Sequence, residues 1–150
     1  MVPAVTEGGR SFKGAALYYL HDKRLEGRLT SDRVAWTHTV NLSTGDPERA
    51  WRIMADTAMR QGEIKASAGE KATGRKLAKP VYAYSLAWHP EQRVDKDHML
   101  STALDSLKAQ ELEGYQAIIL AHSDEPQQHV HVLVNRVHPE TGKAATQPYS

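Results

Sequence analysis

Two apolar runs near the C-terminus, separated by six residues, place the strongest constraint on the fold of this chain. The first run is Tyr115–His122 and the second is His129–Val137, and each is long enough to form one strand. A short polar connection between two such runs predicts an antiparallel β-hairpin. The sequence therefore predicts a sheet with this hairpin at its C-terminal end.

The hairpin is expected to bring three histidines together. His129 and His131 are two residues apart, so both project from the same face of their strand. His122 ends the preceding strand, and pairing sets it opposite His129 at the mouth of the loop. A His-x-His pair alone occurs on many ordinary strands, and the third histidine is what favours a metal site. Three protein ligands that leave coordination positions open are typical of a catalytic metal.

The ligand chemistry points to a divalent ion. Imidazoles bind Mn²⁺, Zn²⁺ and other transition ions better than Mg²⁺, which prefers oxygen ligands. The expected ion is Mg²⁺ or Mn²⁺, with Zn²⁺ or another transition ion as the alternative. Two carboxylates in the loop, Asp124 and Glu125, are candidates to orient a ligand imidazole or to accept a proton. As loop residues they could equally serve to form the turn.

The remaining patterns predict an α+β fold, with a mainly antiparallel central sheet that carries the His-x-His strand and helices packed on it in two or three layers. The two long helices are expected to stack on one face. Predicted helices span 11–24, 47–61 and 95–112, with Ser11 and Asp46 as N-caps of the first two, and predicted strands span 34–42 and 81–88. The stretch 65–79 reads as a loop or a short polar helix.

Composition excludes several classes of protein. The chain has 150 residues and no cysteine, so one domain without disulfides or thiolate ligands is expected. A net charge of +1 is far from a strongly basic coat protein, although 65–79 is locally basic. The chain contains no apolar run long enough for a membrane segment and no secretory signal, so a cytoplasmic location is expected.

The histidine region resembles a motif of a known family. Ala121–Gly142, which includes the three histidines and Asn135, is similar to the third motif of the relaxases, or mobilisation nucleases, of plasmid conjugation. Leu17–Asp22 resembles their first motif, which carries a nucleophilic tyrosine on a helix. The strongest similarity is to the branch with the border-nicking proteins of tumour-inducing plasmids, where a single tyrosine precedes an aliphatic residue. We expect 1–150 to be a single relaxase domain that ends before a further helix.

The resemblance implies a specific reaction. Tyr19 would attack a phosphodiester of single-stranded DNA at a transfer origin and form a reversible 5′-phosphotyrosyl link that starts conjugative mobilisation. Tyr18 is a competitor that points about 100° away on a helix, and core packing is the alternative for both tyrosines. Accessory relaxosome proteins and a secretion coupling protein are the implied partners. Candidate DNA-binding residues are Lys13, Arg24, Arg75, Lys76 and Asn135.

Three other functions remain open at this point. A rolling-circle replication initiator uses the same chemistry, but initiators usually place the tyrosine after the histidines. A non-catalytic single-strand-binding module would keep the fold without the reaction. A zinc hydrolase with another substrate is the third, although the chain lacks the His-Glu-x-x-His helix of a peptidase. Trp51 and Trp88 lie on apolar faces and are expected in the core rather than on DNA bases.

Overall fold

The structure is a computed structural model that describes residues 1–5, 8–21, 34–69, 76–122 and 126–145. The elements, in chain order, are β1 (Val2–Val5), α1 (Phe12–Leu20), β2 (Val34–Val40), α2 (Pro47–Met59), α3 (Gln61–Ser67), β3 (Val81–Ala87), α4 (Lys96–Ala109), β4 (Ala117–His122) and β5 (His129–Asn135). The α+β class predicted from the sequence is confirmed. No helix in the described ranges is long and apolar enough to cross a membrane.

The strands form one antiparallel sheet in the order β1-β3-β5-β4-β2. Its central strand is β5, which pairs with β3 on one side and with β4 on the other. The hairpin of β4 and β5 has the register that the sequence predicts, with His122 directly opposite His129. The strand with the His-x-His pair therefore lies at the centre of the sheet and is hydrogen-bonded to a neighbouring strand on both sides.

Helices cover both faces of this sheet. On one face, Met99, Ala103 and Leu107 of α4 pack on side chains that include Val132. On the other, α1 and α2 pack on side chains that include Leu133. The expectation that the two long helices stack on one face was wrong, and the layers number three. The physical reason is that β4 and β5 are apolar on both sides, and such strands must be covered on both faces.

The helix starts follow the capping chemistry of the sequence. Ser11 Oγ accepts a hydrogen bond from the Gly14 amide at 2.9 Å, and Asp46 Oδ1 accepts one from the Glu48 amide at 3.0 Å. These bonds satisfy amides that have no partner within the first turn of a helix. The cap at Ser11 fixes where α1 begins, and α1 then runs two turns to Tyr19.

Two elements differ from the sequence-based expectation. β1 was not predicted, because it has only four residues and contains Pro3. Its position at the sheet edge accommodates the proline, since an edge strand can leave one backbone side unpaired. The other element is α3, a separate helix that begins at Gln61 and overlaps only the first three residues of the 65–79 stretch, which reads as a loop or a short polar helix.

Candidate active site

The hairpin brings His122, His129 and His131 together on the face of the sheet that α1 and α2 cover. The ring centroids of His122 and His131 are 4.4 Å apart, and those of His129 and His131 are 5.1 Å apart. His122 and His129 are buried, and His131 is half-buried. The convergence expected from the strand period and the hairpin register is thus present in the structure.

The three imidazoles fit a metal ion. Each offers one ring nitrogen, and these nitrogens all lie within 4.8 Å of one another. Nitrogens that share a tetrahedral ion at about 2.1 Å are about 3.4 Å apart, so small ring rotations bring the set into coordination distance. An all-nitrogen donor set suits transition ions.

Backbone carbonyls orient two of these rings. His122 Nε2 lies 2.7 Å from the carbonyl oxygen of Tyr19, and His129 Nδ1 lies 3.0 Å from that of Gln127. A carbonyl oxygen can only accept, so both ring nitrogens must carry a proton. The lone pairs then lie on His122 Nδ1 and His129 Nε2. Such outer hydrogen bonds fix the tautomer of a histidine that binds a metal.

Tyr19 lies directly against the histidines, at the end of α1. Its ring stacks on His131, with centroids 4.5 Å apart and planes inclined by 27°, and its centroid is 6.4 Å from that of His122. Tyr19 is only 6% exposed, whereas Tyr18 is 63% exposed. Of the two candidate tyrosines, Tyr19 is the one whose ring stacks on a histidine of the cluster.

Lys13 and Lys76 lie elsewhere. Both are exposed, and both line a cavity beside the first turn of α1, the turn farthest from Tyr19. Four candidates lie outside the described residues: Asp124 and Glu125 for catalysis, and Arg24 and Arg75 for DNA contact.

Asn135 is fully buried at the end of β5. Its side-chain Nδ2 donates to the carbonyl oxygen of Met54 at 3.1 Å and to Gln116 Oε1 at 3.0 Å. Its Oδ1 accepts from the Val137 amide at 3.0 Å. This amide therefore connects β5 to α2 within the interior.

A hydrogen bond beside Tyr19 was missed by sequence reasoning. His21 Nε2 lies 3.0 Å from Glu48 Oε1, which ties the end of α1 to the first turn of α2. The hydrogen bond with His21 lowers the pKa of Glu48, against the opposing effect of burial, and a hydrogen bond from Trp51 lowers it further. His21 is visible in the sequence beside Tyr19, but its partner is 27 residues away and no local pattern points to it.

A second missed residue is Gln128, which holds the end of the hairpin loop. Its side-chain amide donates to the Val94 carbonyl at 2.8 Å and accepts from the Val94 amide at 2.9 Å. Its own carbonyl accepts from the Trp88 amide at 2.9 Å. These bonds fix the backbone beside Gln127, whose carbonyl orients His129.

The comparison with known families agrees with this geometry. A family model described as the relaxase MobA/VirD2-like nuclease domain matches residues 19–150, a range that begins at Tyr19 and includes all three histidines. No curated protein matches the chain. Because the match covers most of the sequence, the chain belongs to the relaxase family, as a MobA/VirD2-like nuclease domain.

Proposed function

We propose that this protein nicks and rejoins single-stranded DNA at a transfer origin, with Tyr19 as nucleophile, and so starts conjugative mobilisation. Membership of the relaxase family supports nuclease activity and single-stranded DNA as the partner. The observation that carries the proposal is the stacking of the Tyr19 ring on His131, within a cluster of histidines able to hold a metal.

The histidines supply the electrostatic part of the site. A divalent ion held by His122, His129 and His131 would neutralise charge on the scissile phosphate and polarise its phosphorus. Mn²⁺ is the first ion to test, since imidazole donors suit it better than Mg²⁺. The carbonyls of Tyr19 and Gln127 hold a proton on one nitrogen of two of these rings, so the other nitrogen of each ring is the proposed ligand atom.

Tyr19 carries out the covalent step. Its phenolic oxygen forms a bond to phosphorus while the bond from phosphorus to the 3′ oxygen breaks. The phenol loses a proton and the 3′ oxygen gains one, so the step needs neither water nor another reactant. The reverse step rejoins the strand. A tyrosine with an ordinary pKa near 10 needs activation, and we propose Asp124 or Glu125 as the proton acceptor.

Cations are proposed to contact the DNA backbone. Lys13 and Lys76 are exposed, and we propose that they contact DNA phosphates together with Arg24 and Arg75. Each would neutralise a phosphate and release a counterion. Asn135 enters the proposal only as support for β5, because its side chain is fully buried.

The test is formation of a covalent adduct between the protein and a single strand that carries the transfer origin and is labelled at the 3′ end, in the presence of Mn²⁺. The label should move with the protein on a denaturing gel, because a 5′-phosphotyrosyl link retains the 3′ fragment. Tyr19→Phe should form no adduct, and the matched control Tyr18→Phe should form it normally.

Two results would contradict the proposal in different ways. An adduct that persists in Tyr19→Phe and disappears in Tyr18→Phe would show that Tyr18, and not Tyr19, is the nucleophile. If the unmodified chain binds DNA but forms no metal-dependent covalent adduct, the protein is instead a non-catalytic binding module of the same fold.

A further inference from the structure

A cavity of about 530 Å³ opens beside the first turn of α1. Its apolar wall comes from both helices of this face and from the segment before β3, through Phe12, Trp51, Leu77 and Pro80. Its volume lies within the range of about 300–1,000 Å³ that is typical of small-ligand sites. The cavity contains none of the three histidines or Tyr19, so it is separate from the site described above.

The charge around the cavity is entirely positive among its described lining residues. Arg10, Lys13 and Lys76 line it, and no carboxylate does. Within the described part of the chain, none of these three cations forms an ion pair. An apolar cavity bordered by these cations is complementary to a ligand with a flat apolar body and a negative charge.

The aromatic wall is held in a fixed orientation. Trp51 Nε1 donates to Glu48 Oε2 at 3.4 Å, and the Arg52 guanidinium lies 5.2 Å from the centroid of the indole. Met59, which also lines the cavity, is 74% exposed. A fixed indole beside an exposed thioether suits a nucleobase, since base stacking on aromatic side chains accounts for much of single-strand binding.

The uncharged polar side chains of the cavity are already engaged. Gln61 is buried, donates from Nε2 to the Ala58 carbonyl at 2.9 Å and accepts from the Leu77 amide at 2.8 Å. Ser11 Oγ caps α1. A base in this cavity would therefore meet apolar surface rather than hydrogen-bonding groups directed at its edges. The cavity should accordingly accept different bases without strong preference for one.

The distance to Tyr19 suits one continuous strand. Phe12 and Tyr19 are seven residues apart on α1, which is about 10 Å along the helix axis. A stacked strand rises about 3.4 Å per nucleotide, so about three nucleotides cover this distance.

We propose that this cavity holds one base of the single strand that Tyr19 attacks, about three nucleotides from the scissile phosphate, with Arg10, Lys13 and Lys76 on the neighbouring phosphates. The proposal rests on the proposed function, because it takes the ligand to be that same single strand. The seated base would fix the position of the strand relative to the nucleophile.

The experiment compares two probes without metal: oligothymidylate and an abasic deoxyribose-phosphate strand of the same length. Ala78→Trp, at an exposed position that lines the cavity, fills the space. It should weaken oligothymidylate binding about tenfold, which is ~1.4 kcal/mol, and leave binding of the abasic strand unchanged. The matched control is Ala109→Trp, at an exposed position on the opposite face of the sheet, which should bind both probes normally.

A second pair of variants tests the cations. Lys76→Ala should weaken binding of both probes equally and reduce the slope of log affinity against log salt by about one. Lys108→Ala, on α4, should do neither. Thermal unfolding of each variant shows whether it is folded.

Each outcome decides one claim. Unchanged oligothymidylate binding by a folded Ala78→Trp variant, or equal losses on the two probes, would overturn the base cavity. If the selective loss appears but the unmodified chain forms no covalent adduct, the cavity stands as a base-binding site and the catalytic proposal fails. If adducts form and the selective loss is absent, the cavity alone fails.

Discussion

Asn135 offers the sharpest test of what holds the site in place. Asn135→Ala removes two hydrogen bonds donated by the side chain and one that it accepts, and each contributes about 1 kcal/mol. It also leaves the Val137 amide and Gln116 Oε1 without these partners in the interior. We therefore expect the free energy of unfolding to fall by about 3 kcal/mol, with little direct effect on DNA affinity.

The assay is thermal unfolding of the purified chain together with anisotropy of a labelled single strand. For a domain of this size, about 3 kcal/mol corresponds to a fall in Tm of roughly 6–12 °C. Gln92→Ala is the control, because Gln92 is exposed and a surface substitution should change stability by about 0.5 kcal/mol at most. An Asn135→Ala chain with normal Tm and weakened DNA binding would refute the interior role and make Asn135 a DNA contact.

Three further predictions test the site and its supports. Mn²⁺ at about 100 times its Kd should stabilise the unmodified chain by about 2.7 kcal/mol, which is a Tm rise of roughly 5–11 °C. The Tm of each protein with a chelator is the baseline, and an equal rise in His131→Ala would argue against a metal site at the histidines. The lowered pKa of Glu48 contributes stability that is present above its unfolded pKa and lost as pH falls through the folded value. Glu48→Gln should therefore flatten the pH dependence of acid unfolding, and an unchanged profile would show that the hydrogen bond with His21 does not stabilise the fold. Gly142 has φ +70°, and an added Cβ would lie 2.7 Å from the Gln61 carbonyl oxygen, so Gly142→Ala should lower the free energy of unfolding by more than about 1 kcal/mol. Gly62→Ala in α3 is the control and should not lower it, because an added Cβ there meets nothing within 4 Å. Equal thermal stability of the two variants would contradict this prediction.

The hairpin and its histidines were predictable because the information is local. The period of two along His129–His131 and the short connection from His122 determine which side chains meet, and no distant part of the chain enters that argument. The helix starts at Ser11 and Asp46 were predictable for the same reason, since a cap depends on residues two or three positions away.

Features that depend on distant contacts were not predictable in this way. Apolar residues on both sides of β4 and β5 indicate cover on both faces, but nothing local assigns α2 to one face and α4 to the other. Helical periodicity leaves Tyr18 and Tyr19 open, because the choice depends on how α1 docks. The same limit applies to Glu48 as the partner of His21.

The histidines and Tyr19 lie on elements that differ in how easily they can move, because β5 is the central strand of the sheet. Its amides and carbonyls are paired with neighbours on both sides, so displacing the backbone that carries His129 and His131 requires disruption of the centre of the sheet, which opens at a free energy close to that of global unfolding. Tyr19 belongs to a nine-residue helix outside the sheet, where opening is local and costs less. The three histidines are therefore the stationary half of the site, and the helix with Tyr19 is the half that can move without unfolding the domain.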